Sequence, residues 1–208
     1  MRAVSTVEAR LWIIALACFA IFFVLGSLVS FRPPTKIDLA GAALRGVMTS
    51  LAAFFTLLGR TWPIVAIAAL AATVALFARV SVVPVVVILL SQVVSQGVVA
   101  TVKPIFHRMR PDRWLLYREK DFSFPSGHST TAIVFFAALA IVAWRSPLPR
   151  PLATTFTSLA AVCVVGIPWS RLALGAHFLT DVTGGLLFGT GWLCALTALA
   201  MRAGAIPA

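Results

Sequence analysis

The chain has 208 residues, of which 61% are apolar and 11% charged, and its mean hydropathy is +1.01. Soluble domains do not carry such a composition, so an integral membrane protein is expected, long enough for one domain of about six helices at roughly 20 residues per crossing. Seventeen basic against six acidic side chains give a net charge of +11, which suits anionic lipid head groups; nucleic acid, the other usual partner of basic proteins, is set aside because no soluble basic domain is present to bind it.

In chain order, apolar runs predict spans at about 11–31, 61–78, 80–102, 127–144, 152–169 and 176–201. Arg2 and Arg10 before the first run resemble a signal peptide. The run from Leu11 to Phe31 is long for a signal core and no small-x-small site follows, so an uncleaved span is expected. Gly46 to Leu58 is apolar but too short to cross and is bracketed by Arg45 and Arg60, which fits an interfacial or re-entrant helix. Arg79 and Ser81 belong to a very short turn between the second and third spans. Pro63 and Pro84 fall in first turns, where a missing N–H costs little. The segment from Trp144 to Pro151 separates the fourth and fifth spans. Cys18, Cys163 and Cys194 all sit in apolar runs and read as packing residues, spaced for neither a zinc site nor a disulfide framework. The expected fold class is an all-α integral membrane protein, a six-helix bundle forming one membrane-embedded domain over residues 1–208, with a short interfacial helix between the first two spans.

Polar signatures interrupt the apolar runs, where charges are costly and usually kept for function. Lys103 ends the third span and is followed by Arg110-Pro111. Pro125-Ser126-Gly127-His128 opens the fourth, and two crossings later come Ser170-Arg171, His177 and Asp181. Parity therefore brings all of them to one membrane face, whatever the orientation.

His177 and Asp181, four apart, would share a helix face, so the carboxylate could take the Nδ1 proton and leave Nε2 free to attack. A satisfied helical His–Asp pair is the alternative. His128 at a helix mouth fits a general acid for a leaving oxygen. An N-cap alone is the plainer reading of Ser126, while Gly127 admits a close backbone approach to an anion. Lys103, Arg110 and Arg171 could be snorkelling side chains, but three cations beside two histidines suit a phosphate, which guanidinium forks grip in pairs. His107 and Arg108, inside the spacer, read as solvated loop residues. Trp62, Trp114, Tyr117, Trp144 and Trp169 read as interface anchors. Gly185 and Gly189 read as a helix-packing pair within the chain, and the mixed-charge stretch from Asp112 to Asp121, including Arg113, Arg118 and Glu119, as a loop shaping head-group access.

The pattern Lys-x6-Arg-Pro, Pro-Ser-Gly-His, Ser-Arg-x5-His-x3-Asp across residues 103–181 resembles the three-part signature of the type 2 phosphatidic acid phosphatase superfamily. That resemblance implies His177 as a nucleophile forming a phosphohistidine, Asp181 as its orienting partner, and His128 as the acid that protonates the leaving group and then activates water. It implies Lys103, Arg110, Ser126, Gly127 and Arg171 as phosphate-binding residues, with no cofactor and no metal, fixed cations standing in for the usual magnesium. The expected substrate is a lipid phosphate, polyprenyl (undecaprenyl) diphosphate first, then phosphatidic acid, phosphatidylglycerol phosphate or a glycolipid phosphate. Vanadate-dependent haloperoxidases resemble the same signature but are soluble. A non-catalytic binder or transporter of phospholipid would be expected to lack the nucleophile. Arg2, Arg10, Arg79, Arg145, Arg150 and Arg202 fall on the face opposite the signatures, so the positive-inside rule points the signature face to the cytoplasm. The family resemblance points instead to the periplasmic or extracellular face of a bacterial-type inner membrane, the expectation adopted here.

Overall fold

The structure, a computed structural model, describes residues 5–112, 114–116 and 119–203. Arg2, Arg113, Tyr117 and Arg118 lie outside the described residues. Helices α1 (Thr6–Val29), α2 (Lys36–Gly41), α3 (Thr49–Leu58), α4 (Thr61–Phe77) and α5 (Val83–Phe106) make the first half. In the second, α6 (Gly127–Thr131), a π segment (Ala132–Ala137) and α7 (Ala138–Arg145) form one rod, followed by α8 (Arg150–Ala173) and α9 (Leu179–Arg202). No strand occurs among the described residues.

Five of these rods, α1, α5, Gly127–Arg145, α8 and α9, are long and apolar enough to cross a membrane; α4 is apolar but has 17 residues. At 1.5 Å per residue α4 spans about 25 Å, just short of a hydrocarbon core of about 30 Å. The polarity is inverted relative to a soluble protein. Phe77, Leu90 and Val165 face outward, whereas Gln92, Ser95, Ser129, Thr130 and Thr131 are buried. Lipid accepts the apolar exterior, and inside the bundle polar side chains bridge helices. Gln92 Nε2 donates to Thr131 Oγ1 at 2.7 Å and Trp192 Nε1 to Ser91 Oγ at 2.8 Å. An aromatic cluster of Phe22, Phe106, Phe124 and Phe188 joins α1, α5 and α9 below the polar end.

Segment 36–58 is broken by a bend of 108° between Lys36–Leu44 and Thr49–Leu58. Asp38 bonds Thr180, the Gly46 amide donates to Ala173 at 2.9 Å, and Thr56 accepts from Arg171. Both arms thus touch the same end of the bundle, which fits the interfacial or re-entrant helix expected over Gly46 to Leu58; the helix Lys36–Gly41 before it has no counterpart in the hydropathy pattern. Gly185 and Gly189 pack the rod Gly127–Arg145 onto α9: a Cβ on Gly185 would meet Ser129 Cβ at 2.8 Å, and one on Gly189 would meet Ile133 Cβ at 2.9 Å.

Two helix limits differ from the hydropathy pattern in ways that matter for the polar end. α8 runs through Pro168 to Ala173, so Ser170 and Arg171 are helical. Its end is set by Gly175, at φ +66, with Ala176 N donating to Arg171 O and Gly175 N to Leu172 O, both at 2.9 Å. That pair of bonds around a left-handed glycine is a Schellman closure. α9 starts at Leu179, with Phe178 extended before it. His177 therefore lies in the turn before α9, and the shared helix face with Asp181 expected from their four-residue spacing does not form.

Candidate active site

Each signature is delivered by a local device. Lys103 occupies the last turn of α5, which stops at His107 in the left-handed region (φ 45). Beyond it burial alternates: His107 and Met109 are exposed, Arg108 and Arg110 buried. This is the period of extended chain, and it turns both arginines inward. The Gly175 closure folds the chain back so that His177 N also donates to Arg171 O, at 3.3 Å. Ser126 caps α6, its Oγ accepting from Ser129 N at 3.4 Å and from Ser129 Oγ at 3.0 Å, while its amide donates to Asp181 O at 3.0 Å. Ser126 thus performs the capping role here and ties the start of α6 to α9. The Gly127 carbonyl accepts from Gln96 Nε2 at 3.2 Å.

These devices bring Lys103, Arg110, His128, Arg171, His177 and Asp181 together. Arg110 Nη1 lies 3.0 Å from His177 Nε2. A guanidinium only donates, so Nε2 carries the lone pair and Nδ1 the proton. Nδ1 faces Asp181 Oδ2 at 3.5 Å and the Ser123 hydroxyl at 3.4 Å, and that hydroxyl itself bonds Asp181 Oδ2. Ser123 therefore bridges the histidine to the carboxylate. Burial, then the charges of Arg110, Arg171, Lys103 and His128, holds the His177 imidazole well below the ordinary histidine range. The ring is neutral at physiological pH, as a nitrogen nucleophile must be. His128 is half-buried; its Nε2 is closed to solvent and has no hydrogen-bond partner. A buried ring nitrogen without a partner is costly.

The three cations hold carboxylates of the chain itself. Glu119 bridges Arg110 and Arg171, at 2.8 Å to each, and Asp121 bridges Lys103 and Arg110, the latter at 2.5 Å. Burial raises the Asp121 carboxyl, but the Lys103 and Arg110 charges outweigh it and leave it below the ordinary value. A cavity of about 340 Å³ lined by Met109, Arg110, Glu119, Lys120, Asp121 and Phe122 opens beside them. Among the described residues no three His, Cys, Asp or Glu side chains cluster as metal ligands.

Arg108 requires a correction. Its side chain is only 2% exposed, not solvated, and its guanidinium bonds Asp181 Oδ1 and Asp38 Oδ2, each at 2.7 Å. The physical reason is the extended register, which gives Arg108 the same inward direction as Arg110. His107 remains exposed, with its ring between Phe31 and Phe122. Trp114 belongs to the site rather than to a span end, with Arg110 over its ring at 5.3 Å. Ser123, Thr56, Thr180 and Asp38 carry no motif. Scarcity was the available signal: of only six acidic residues in the chain, Asp38, Glu119, Asp121 and Asp181 are all here.

The family model of the PAP2 superfamily matches residues 81–204. A lipid A 1-phosphatase of Rhizobium etli is 36% identical over 122 residues, 53% of this chain and 48% of the relative. A phosphatidylglycerophosphatase B of Bacillus subtilis is 38% identical over 88 residues, 42% and 43% of the two chains. A putative undecaprenyl-diphosphatase of Escherichia coli is 40% identical over 74 residues, 36% of this chain and 33% of that one. The matched stretch thus spans about half the length, or less, of these curated relatives. The crystal structure of a transmembrane PAP2-type phosphatidylglycerolphosphate phosphatase from Bacillus subtilis superposes with a TM-score of 0.72 at 23% identity, covering 93% of this chain and 98% of that one.

Proposed function

We propose, since this chain belongs to the PAP2 superfamily, that it is a multi-pass membrane phosphatase that hydrolyses the phosphate or diphosphate head group of a lipid. The observation that carries the reading is the meeting of Lys103, Arg110 and Arg171 on anionic groups beside the lone pair of His177. In this mechanism a phosphoryl group displaces Glu119 and Asp121 and takes their three cations. Nε2 of His177 attacks phosphorus, a P–N bond forms, and the P–O bond to the lipid breaks. His128 gives its Nε2 proton to the departing oxygen, then removes a proton from the water that hydrolyses the phosphohistidine. The fixed cations neutralise charge on the transferring oxygens. Ser126 holds α6 so that His128 faces the site, and Gly127 leaves room at the helix mouth.

The leading substrate is a polyprenyl diphosphate, whose tail stays in lipid while the head group reaches the bundle end. A glycolipid phosphate is the second reading, supported by the 122-residue stretch shared with the lipid A 1-phosphatase. The active end is assigned to the periplasmic or outer face of a cell inner membrane. The test is phosphate release by detergent-purified protein in EDTA, offered undecaprenyl diphosphate, phosphatidylglycerol phosphate, phosphatidic acid and lipid A, with His177→Ala alongside. Release that the variant abolishes is expected; turnover by His177→Ala refutes the nucleophile, and loss of wild-type activity in EDTA refutes metal independence.

A further inference from the structure

Arg108 belongs to no part of the phosphatase signature, and Asp38 lies before the stretch that matches the family. Yet Arg108 is closed from solvent between two carboxylates that are themselves fully buried. Asp38 is held just as firmly. Its Oδ1 accepts from Thr180 N at 3.1 Å and Thr180 Oγ1 at 2.7 Å, and its Oδ2 from Thr35 N at 2.8 Å. α9 has no polar N-cap of its own, since Phe178 stands there, so Asp38 reaches across from α2 to satisfy its second amide.

The charges have a consequence for the reaction. Asp181 paired with Arg108 alone would be a neutral couple with little to offer an imidazole. Asp38 returns one negative charge, so Asp38, Arg108 and Asp181 carry −1 together behind His177. When Nε2 bonds phosphorus its lone pair is consumed, and the ring, still protonated on Nδ1, becomes cationic. A net negative, fixed group behind Nδ1 stabilises that state more than the neutral ground state, the condition for a rate effect. The groups facing His177 from the other elements, Arg110, Arg171, Lys103 and His128, all oppose a cationic ring, and the −1 acts against them.

We infer that Arg108 and Asp38 are positioning residues: Arg108 fixes Asp181 against Ser123 and His177, and Asp38 balances the arginine so that the group stays anionic. The inference rests on His177 acting as nucleophile. The Nδ1 proton remains on His177 throughout.

The experiment compares wild type, His177→Ala, Arg108→Met, Arg108→Lys and Asp38→Asn in detergent, with kcat, KM, the pH profile of kcat/KM and the melting temperature of each. For Arg108→Met kcat falls about 100-fold or more with KM within threefold, and Arg108→Lys, which keeps the cation but reaches one carboxylate at a time, recovers about tenfold and stays about tenfold or more below wild type. For Asp38→Asn the acid limb of kcat/KM moves to lower pH by about half a unit or more, because one negative charge near the ring is gone. A purely structural role lowers active fraction and melting temperature together and leaves that limb in place. Full activity in Asp38→Asn or Arg108→Met, or an unmoved limb in Asp38→Asn, overturns the inference. If Arg108→Met does not fold, Arg108→Lys decides: kcat equal to wild type overturns it. Failure of the underlying reading looks different, since His177→Ala itself would then turn over.

Discussion

Glu119→Gln removes the carboxylate that bridges Arg110 and Arg171 while keeping the shape of the side chain. Each contact is 2.8 Å long, and the Glu119 side chain is 23% exposed. A pair of this partly exposed kind is worth about 0.5–1 kcal/mol, so the two together oppose an incoming phosphate by about 1–2 kcal/mol. At 1.4 kcal/mol per tenfold, the inhibition constant for inorganic phosphate and the substrate KM should fall about 5- to 30-fold. kcat should change little, because Glu119 leaves the cations before chemistry begins. Competitive inhibition by phosphate at two ionic strengths is the assay. The advantage of the variant should shrink at high salt, since the partly exposed pair it lacks is then already screened. An unchanged or weaker phosphate affinity would refute the idea that Glu119 occupies the substrate's anion site.

The depressed His177 imidazole places the acid limb of kcat/KM below pH 6.5, the ordinary histidine value; the limb reports the free enzyme, activity falls as pH drops through it, and a limb at or above 6.5 would contradict the burial argument. Arg171→Lys should lower kcat/KM by about 100-fold, because a lysine cannot hold Thr56 and a phosphate oxygen together; activity within threefold of wild type would remove Arg171 from the phosphate site. In Gly59→Ala the new Cβ would lie 2.5 Å from His128 Cδ2 and 3.3 Å from Ile167 Cγ2. Displacing the ring should cost about tenfold or more in kcat with a smaller effect on KM, and a kinetically silent variant would show that the end of α3 does not hold the proton donor.

What was legible in the sequence was whatever depends on near neighbours. Runs of apolar residues set the helices, because lipid requires every backbone amide to be satisfied within its own helix. Parity along those helices put Lys103, His128, Arg171 and His177 at one end of the bundle without any knowledge of packing. The expectation of an interfacial or re-entrant helix at 46–58 followed from its short apolar length and the flanking Arg45 and Arg60. The motif implies the acid–base and phosphate roles, and the structure brings the residues that would carry them to a shared location. What the sequence left open depends on direction and long-range charge. Hydropathy cannot see that Gly175 rather than the apolar run ends α8, so it cannot tell that His177 sits in a turn. It cannot tell a solvated arginine from a buried one either: Arg108 and Arg110 look alike on paper, and only the extended chain after His107 sends both inward. Asp38 and Asp181 are 143 positions apart and share Arg108, and Glu119 reaches Arg171 across 52. A buried charge must find a partner wherever the fold places one, and that choice belongs to the tertiary structure.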